Sequence, residues 1–155
     1  MSYLDNTYNW DKYFIDIAET VRLKSKDPST KVGAVIVGPE QQIISTGYNG
    51  FPRGVYDYDE RWERPAKYAY VVHAELNAIL NAARHGIALR DCDLYLVGFG
   101  PPTVPCTNCA KAIIQVGIKK VIGKSYKPAP ENWMDSLDRA REMLDESNVE
   151  MVEFQ

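Results

Sequence analysis

The run Lys31–Val37, KVGAVIV, has no polar side chain after its first residue, so a strand formed there must be covered on both faces. GPEQQ follows as a turn signal, and Gln42–Tyr48 reads as the hairpin partner. Helical spacing precedes this pair: Trp10, Tyr13, Phe14, Ile17, Ala18 and Val21 share a face, with Asn9 placed as N-cap. After it, helix and strand alternate. A helix from about His73 to His85 turns Leu76, Ile79, Leu80 and Ala83 inward and closes on Gly86. A strand at Asp93–Gly98 precedes a helix at Cys106–Val116 that Gly117 ends. A short strand at Lys120–Gly123, a helix marked by Trp133, Leu137, Ala140 and Leu144, and a strand at Val149–Phe154 complete the chain. The order αββαβαβαβ predicts one three-layer αβα domain over residues 1–155. Its α/β fold has a five-stranded mixed sheet, mostly parallel, with the antiparallel strand supplied by the hairpin.

Two segments stand outside this alternation. Lys24–Lys31, KSKDPSTK, is a polar loop broken by Pro28, and Phe51–Val72 is a long connection rich in tyrosine and arginine. Connections of that length within a compact domain serve a function or are disordered. With 18 basic against 21 acidic residues and no Lys/Arg run, the formal charge of −3 offers no bulk attraction to nucleic acid or membrane. No segment is apolar enough for a signal peptide or a bilayer span. Three cysteines, an odd number, do not make a secreted disulfide framework. A cytoplasmic protein is expected, and an anionic ligand would need a local cluster of cations.

Pro105-Cys106-Thr107-Asn108-Cys109 opens a helix with two thiols three residues apart. Alone, it serves a structural zinc, a redox disulfide or a catalytic metal equally well. His73-Ala74-Glu75 opens the preceding helix. Helix N-termini favour thiolate, the form that binds zinc, and residues i and i+3 share a face. His73, Cys106 and Cys109 then offer three zinc ligands and leave a fourth tetrahedral position for water, whereas a structural site would be closed by a fourth Cys or His. Glu75 is placed to reach that water rather than the metal, where a carboxylate can move a proton. Of the remaining candidates, His85 reads as a helix-terminal residue and Cys92 as a packed one.

H-x-E followed by P-C-x-x-C is the zinc-deaminase signature, and the chain resembles the zinc-dependent cytidine/deoxycytidylate deaminase family over nearly its whole length. Three further segments fit the deoxycytidylate (dCMP) branch: Gly47-Tyr48-Asn49-Gly50-Phe51-Pro52-Arg53-Gly54, Ser25-Lys26-Asp27-Pro28 ahead of Val32-Gly33-Ala34, and His73-Ala74-Glu75-Leu76-Asn77-Ala78-Ile79. The resemblance implies hydrolysis of dCMP to dUMP and ammonia, on the route to dTMP. In it, His73, Cys106 and Cys109 hold one Zn2+. Glu75 takes a proton from the water that attacks C4 and delivers protons to N3 and the leaving amine. It further implies that Asn49 bonds the deoxyribose and that the Ala74 backbone lies near the base. Lys24, Ser25 and Lys26 would meet the 5′-phosphate, with Tyr126 lining the same pocket.

Some members are hexamers activated by dCTP and inhibited by dTTP. The resemblance therefore implies a homo-oligomer, with Asn49, Gly50 and Arg53 as contacts for a triphosphate effector and its Mg2+. The chain also departs from the pattern. Lys24 stands where arginine is common, and Val97–Val104, VGFGPPTV, lengthens the connection into the PC pair, which would reshape one pocket wall. Cys92 and His85 are too few for the second, structural zinc of some relatives. Alternatives are dCTP as substrate, deamination of a base in nucleic acid, and a zinc-stabilised nucleotide-binding module without activity. The mild negative charge and the GYNGFPRG loop favour a free nucleotide, and Glu75 argues against an inactive module.

Overall fold

The computed structural model describes residues 7–155. Helix α1 (Trp10–Arg22) starts at Asn9, whose side-chain oxygen accepts a hydrogen bond from the Lys12 N–H at 2.9 Å. It buries Phe14, Ile15 and Ala18. Trp10 and Tyr13, expected inward, are exposed because they lie beyond the edges of that stripe, with Trp10 stacked on Phe14.

Strands β1 (Gly33–Val37) and β2 (Ile43–Tyr48) form the expected hairpin. β3 (Asp93–Phe99) pairs with β1 antiparallel, and β4 (Lys120–Lys127) and β5 (Glu150–Glu153) follow in parallel. The sheet order is β2-β1-β3-β4-β5, with β1 alone opposing the other four strands. β4 runs past its expected end at Gly123, because its ladder to β3 continues from Lys124 to Lys127 although the side chains there are mostly polar.

Every residue of β1 is buried, which answers the apolar run that defines it. Val35 and Val37 join Tyr95, Val97 and Ile122 against α1. Ala34, Ile36, Leu94, Leu96 and Val121 face the core shared with α3 (Ala74–Arg84), α4 (Thr107–Gln115) and α5 (Met134–Glu146). The layers are those expected, but α3 is turned. Its buried face is Ala74, Glu75, Ala78, Ile79 and Ala82, while Leu80 and Ala83 are exposed and Leu76 is half-buried. The cause is Gly47 on β2, where a Cβ would lie 2.3 Å from the Ala78 nitrogen. At that spacing the helix meets the sheet with alanines, and the leucines are displaced to its flanks.

The long connection is ordered. An antiparallel bridge between Gly50 and Val72 closes its base. Within it, a 3-10 turn (Asp59–Trp62) and a short helix α2 (Lys67–Tyr70) pack around Phe51, whose ring stacks on Trp62 at 4.3 Å and on Tyr70 at 5.4 Å. No helix among the described residues is long and apolar enough to cross a membrane.

Candidate active site

Two helices begin at one point. His73 caps α3 with extended backbone at φ −68° and ψ 155°, and Cys106 caps α4 at φ −67° and ψ 170°. Neither side chain makes a capping hydrogen bond, and the two turn toward each other. His73 Nδ1 lies 3.3 Å from Cys106 Sγ and 3.6 Å from Cys109 Sγ. All three ligand atoms fall within 4.8 Å of one another. Donors about 2.3 and 2.0 Å from a tetrahedral zinc stand about 3.6 Å apart, so this set fits the ion. Two soft sulfurs and an imidazole also select zinc over hard cations. Among the described residues, this is the one group of three or more His, Cys, Asp or Glu side chains close enough to hold a metal.

The electrostatics suit a cation. A hydrogen bond from Cys109 holds the Cys106 thiol well below its usual pKa; burial opposes this and His73 reinforces it. Cys109 is pushed up by the same bond, by burial and by the charge of Glu75. The bond to Cys106 raises His73 against its burial, with the Glu75 charge adding to the rise.

Glu75 is 5% exposed and lines the same cleft as His73 and Cys106. Burial raises its pKa, with His73 pulling it back and Cys106 pushing it further up. No lysine or arginine forms a salt bridge to it among the described residues. A carboxyl in that setting is suited to taking and releasing a proton.

The cleft measures about 510 Å³, ample for a small ligand. Phe99 and Val104 of the VGFGPPTV segment line it. Glu153 of β5 fastens that segment by accepting from Thr103 N at 2.7 Å and Thr103 Oγ1 at 3.0 Å. Trp133 completes the wall. Its ring stacks on His73 at 6.0 Å with an interplanar angle of 17°, and Phe99 meets it edge-on at 5.4 Å. The sequence placed Trp133 only as an apolar position of the last helix; it stands one residue before α5, at the end of a 3-10 turn.

Of the residues expected around a substrate, Asn49 and Ala74 line the cleft, whereas Lys24, Ser25, Lys26 and Tyr126 are not among its lining residues. Lys24 is exposed. Ser25 is buried and donates to the Asn49 carbonyl at 2.7 Å. Lys26 pairs with Asp57 at 2.6 Å. Tyr126 accepts from Lys31 N and lies beneath the Arg22 guanidinium. Asn49 is itself braced: its Oδ1 accepts from Val32 N, and its Nδ2 donates to Thr30 O and Asp27 Oδ2. Gly50 lies in the bridge to Val72, and Arg53 donates to Asn81 on α3; neither lines the cleft. Cys92 is packed in the core, and His85 is the exposed C-cap of α3.

The profile of the cytidine and deoxycytidylate deaminase zinc-binding region matches residues 8–124, which include both cap motifs. The chain belongs to this family. A deoxycytidylate deaminase of Pongo abelii is 40% identical over 156 residues, covering 97% of this chain and 82% of that protein. Among solved structures, the apo dCMP deaminase of cyanophage S-TIM5 matches with a TM-score of 0.70 at 25% identity, covering 93% of this chain and 96% of that one. The same phage enzyme in complex with dCMP and dUMP matches with a TM-score of 0.68 at 25% identity, over 92% and 95% of the two chains. His73, Glu75, Cys106 and Cys109 all fall within the matched residues, and the first three line the cleft.

Proposed function

We propose that this protein hydrolytically deaminates dCMP to dUMP, with ammonia as the second product. The observation that carries the reading is Glu75, a buried carboxyl with no lysine or arginine salt bridge among the described residues, in the cleft beside which His73, Cys106 and Cys109 converge. Those three residues would hold zinc, which supplies Lewis acidity toward water and lowers its pKa. Glu75 takes a proton from the attacking water as C4 is approached. It passes that proton to N3, then takes the proton of the new C4 hydroxyl and gives it to the amine, which leaves as ammonia as the C4 carbonyl forms, so one carboxyl serves as base and acid in turn. His73 is steadied by the Trp133 ring stacked upon it. The Ala74 backbone, in the first turn of α3 and on the cleft wall, would lie beside the base. The braced amide of Asn49 presents a fixed edge to the deoxyribose, its Oδ1 keeping one free lone pair. The relatives named deoxycytidylate deaminase and the phage enzyme with dCMP and dUMP support this substrate.

The same proposal places the protein in the cytoplasm, where the free thiols of Cys92, Cys106 and Cys109 would stay reduced. It includes a homo-oligomer with dCTP or dTTP, carrying Mg2+, as effectors near Gly50 and Arg53, where Arg53 is exposed.

Glu75→Gln is the test. The variant keeps the shape of the side chain and loses its proton chemistry, so turnover of dCMP should fall by about 10²- to 10⁴-fold. Zinc per chain, measured by elemental analysis, should stay at the wild-type level. Wild-type turnover in that variant would refute the mechanism.

A further inference from the structure

We propose that Arg64 and Lys127, held around the Ser29–Thr30 turn by the buried Lys67–Asp27 pair, form the seat for the substrate phosphate and carry charge for one phosphate group. This rests on the deaminase reading for the base end of the same cleft. Three cations from two distant segments reach one turn of the KSKDPSTK loop. Lys127 Nζ lies 2.9 Å from Ser29 O and 2.8 Å from Thr30 Oγ1. Lys67 Nζ lies 3.3 Å and Arg64 Nη2 3.4 Å from Ser29 Oγ. All of these residues line the cleft that contains Glu75. Ser29 and Arg64 are exposed and Lys127 is half-buried, whereas Ala74 and Glu75 are buried, so the cations form its rim and the carboxyl its floor. A nucleotide fits that gradient with its base inward and its charged group toward water.

The charge count selects the group. Lys67 is 7% exposed and its ammonium is matched by Asp27 at 2.6 Å. That pair is neutral and serves as a strut. Neither Arg64 nor Lys127 has an acidic partner among the described residues. Together they supply two positive charges. A phosphate monoester carries about −1.5 to −2 at neutral pH, which these two match, and a triphosphate would need further cations. Donors also remain. Lys127 uses two of its three N–H groups, and Arg64 uses one bond to Tyr68 Oη and one to Ser29 of its five. Burial pushes the Lys127 pKa below its usual value, and Lys67 and Arg64 push it the same way against the pull of Asp27. The rim is thus positive and incompletely compensated, the condition for capturing an anion.

The test uses Arg64→Met and Lys127→Met in the zinc-loaded protein, with thermal melting to confirm that each is folded. Each variant should raise KM for dCMP by about 10- to 100-fold with kcat close to wild type, as for loss of a charged hydrogen bond made in both ground and transition states. Calorimetry with the product dUMP, inorganic phosphate and deoxyuridine reads the seat without requiring turnover. Affinity for dUMP and phosphate should fall, and affinity for deoxyuridine should hold. Equal losses for dUMP and deoxyuridine would overturn the proposal, as would an unchanged KM for dCMP. So would a loss of dCMP affinity in Lys24→Met or Lys26→Met with none in the rim variants. Turnover of dCTP as efficient as that of dCMP would overturn the single-phosphate count. If wild-type protein binds dUMP at this rim but deaminates nothing, the deaminase reading fails while the seat survives.

Discussion

Gly47→Ala tests whether the spacing between β2 and α3 sets the geometry of the metal ligands. An added Cβ would stand 2.3 Å from Ala78 N, 2.4 Å from Ala74 O and 2.9 Å from Ala78 Cα, all backbone atoms of α3. To restore ordinary contact at about 3.4 Å, the helix must retreat by about 1 Å. Gly47 is paired with Ala34 in the sheet ladder, so β2 has little room to yield. Three hydrogen bonds join α3 to β2: Ser45 Oγ to Ala78 O at 2.8 Å, Asn77 Nδ2 to Tyr48 O at 2.8 Å, and Asn81 Nδ2 to Thr46 O at 2.7 Å. A retreat strains all three. Overpacking costs about 1–3 kcal/mol, and each of the weakened bonds adds about 0.5–1.5 kcal/mol. A total of about 2.5–7.5 kcal/mol lowers the melting temperature by roughly 5–30 °C in a chain of this size. His73 and Glu75 ride on the end of α3 that moves, and a misplacement of about 1 Å reduces turnover by about 10²-fold. Melting temperature, zinc per chain and kcat with dCMP read these effects. Gly50→Ala is the control for stability, since its Cβ meets nothing nearer than Tyr48 Cε2 at 3.6 Å. A Gly47→Ala protein that melts within 2 °C (roughly 1 kcal/mol) of wild type and turns over normally would refute the argument.

Lys67→Met should cost about 3–5 kcal/mol in denaturant melts, because it leaves the Asp27 carboxylate buried without its counter-charge. Replacing both partners by apolar residues should recover part of that loss, and a double variant worse than either single would contradict the strut. Burial alone would raise the Asp27 pKa, but Lys67 and the N–H groups of Ser29 and Thr30 outweigh it and hold the group below its usual range. Its stabilisation is therefore complete above the unfolded pKa of about 3.9 and disappears as pH falls through the folded value. The stability gap between wild type and Asp27→Asn should narrow on going from pH 7 to acid; a gap independent of pH would contradict the assignment. Glu153→Ala removes both bonds to Thr103 and the one from Ser125. It should cost about 1–3 kcal/mol and speed zinc loss to a chelator, since the freed segment leads into Cys106. An unchanged rate of loss would show that Glu153 does not brace the metal site.

Much of the fold could be read from the sequence because its signals are local. The apolar run of β1, the N-cap Asn9 and the helix-ending glycines Gly86 and Gly117, both with positive φ, each act over a few residues. The face of α3 could not be read that way. Leucine outranks alanine as a core residue by hydrophobicity, yet alanine lies inward here because a glycine on another strand brings two backbones into contact. The end of β4 was hidden for a similar reason. KSYK has no strand signature, and its pairing comes from β3 alongside.

The site divides along the same line. His73, Glu75, Cys106 and Cys109 were legible because each pair lies within one helical turn, and a helix start favours both thiolate and carboxylate chemistry. The rim was legible only in part. Arg64 and Lys67 belong to a long connection whose charges read as solvated, with phosphate contact as the alternative, Lys127 to a stretch that reads as loop, and the Asp27 and Ser29 that receive them to a polar turn. Only tertiary structure reveals that Lys67 is neutralised by Asp27 while Arg64 and Lys127 meet no acidic partner among the described residues. Lys24–Lys26, the segment expected to meet the phosphate, does not line the cleft. Ser25 bonds the Asn49 backbone, and Lys26 pairs with Asp57. Its link to the rim is therefore indirect: Asn49 Nδ2 reaches both Asp27 and Thr30, so the loop that carries Lys26 holds the turn on which the free cations meet. Sequence identifies the residues that make and break bonds at the floor, where chemistry restricts the choice of side chain. In the proposed seat, the choice of nucleotide at the rim would depend on which lysine is already paired.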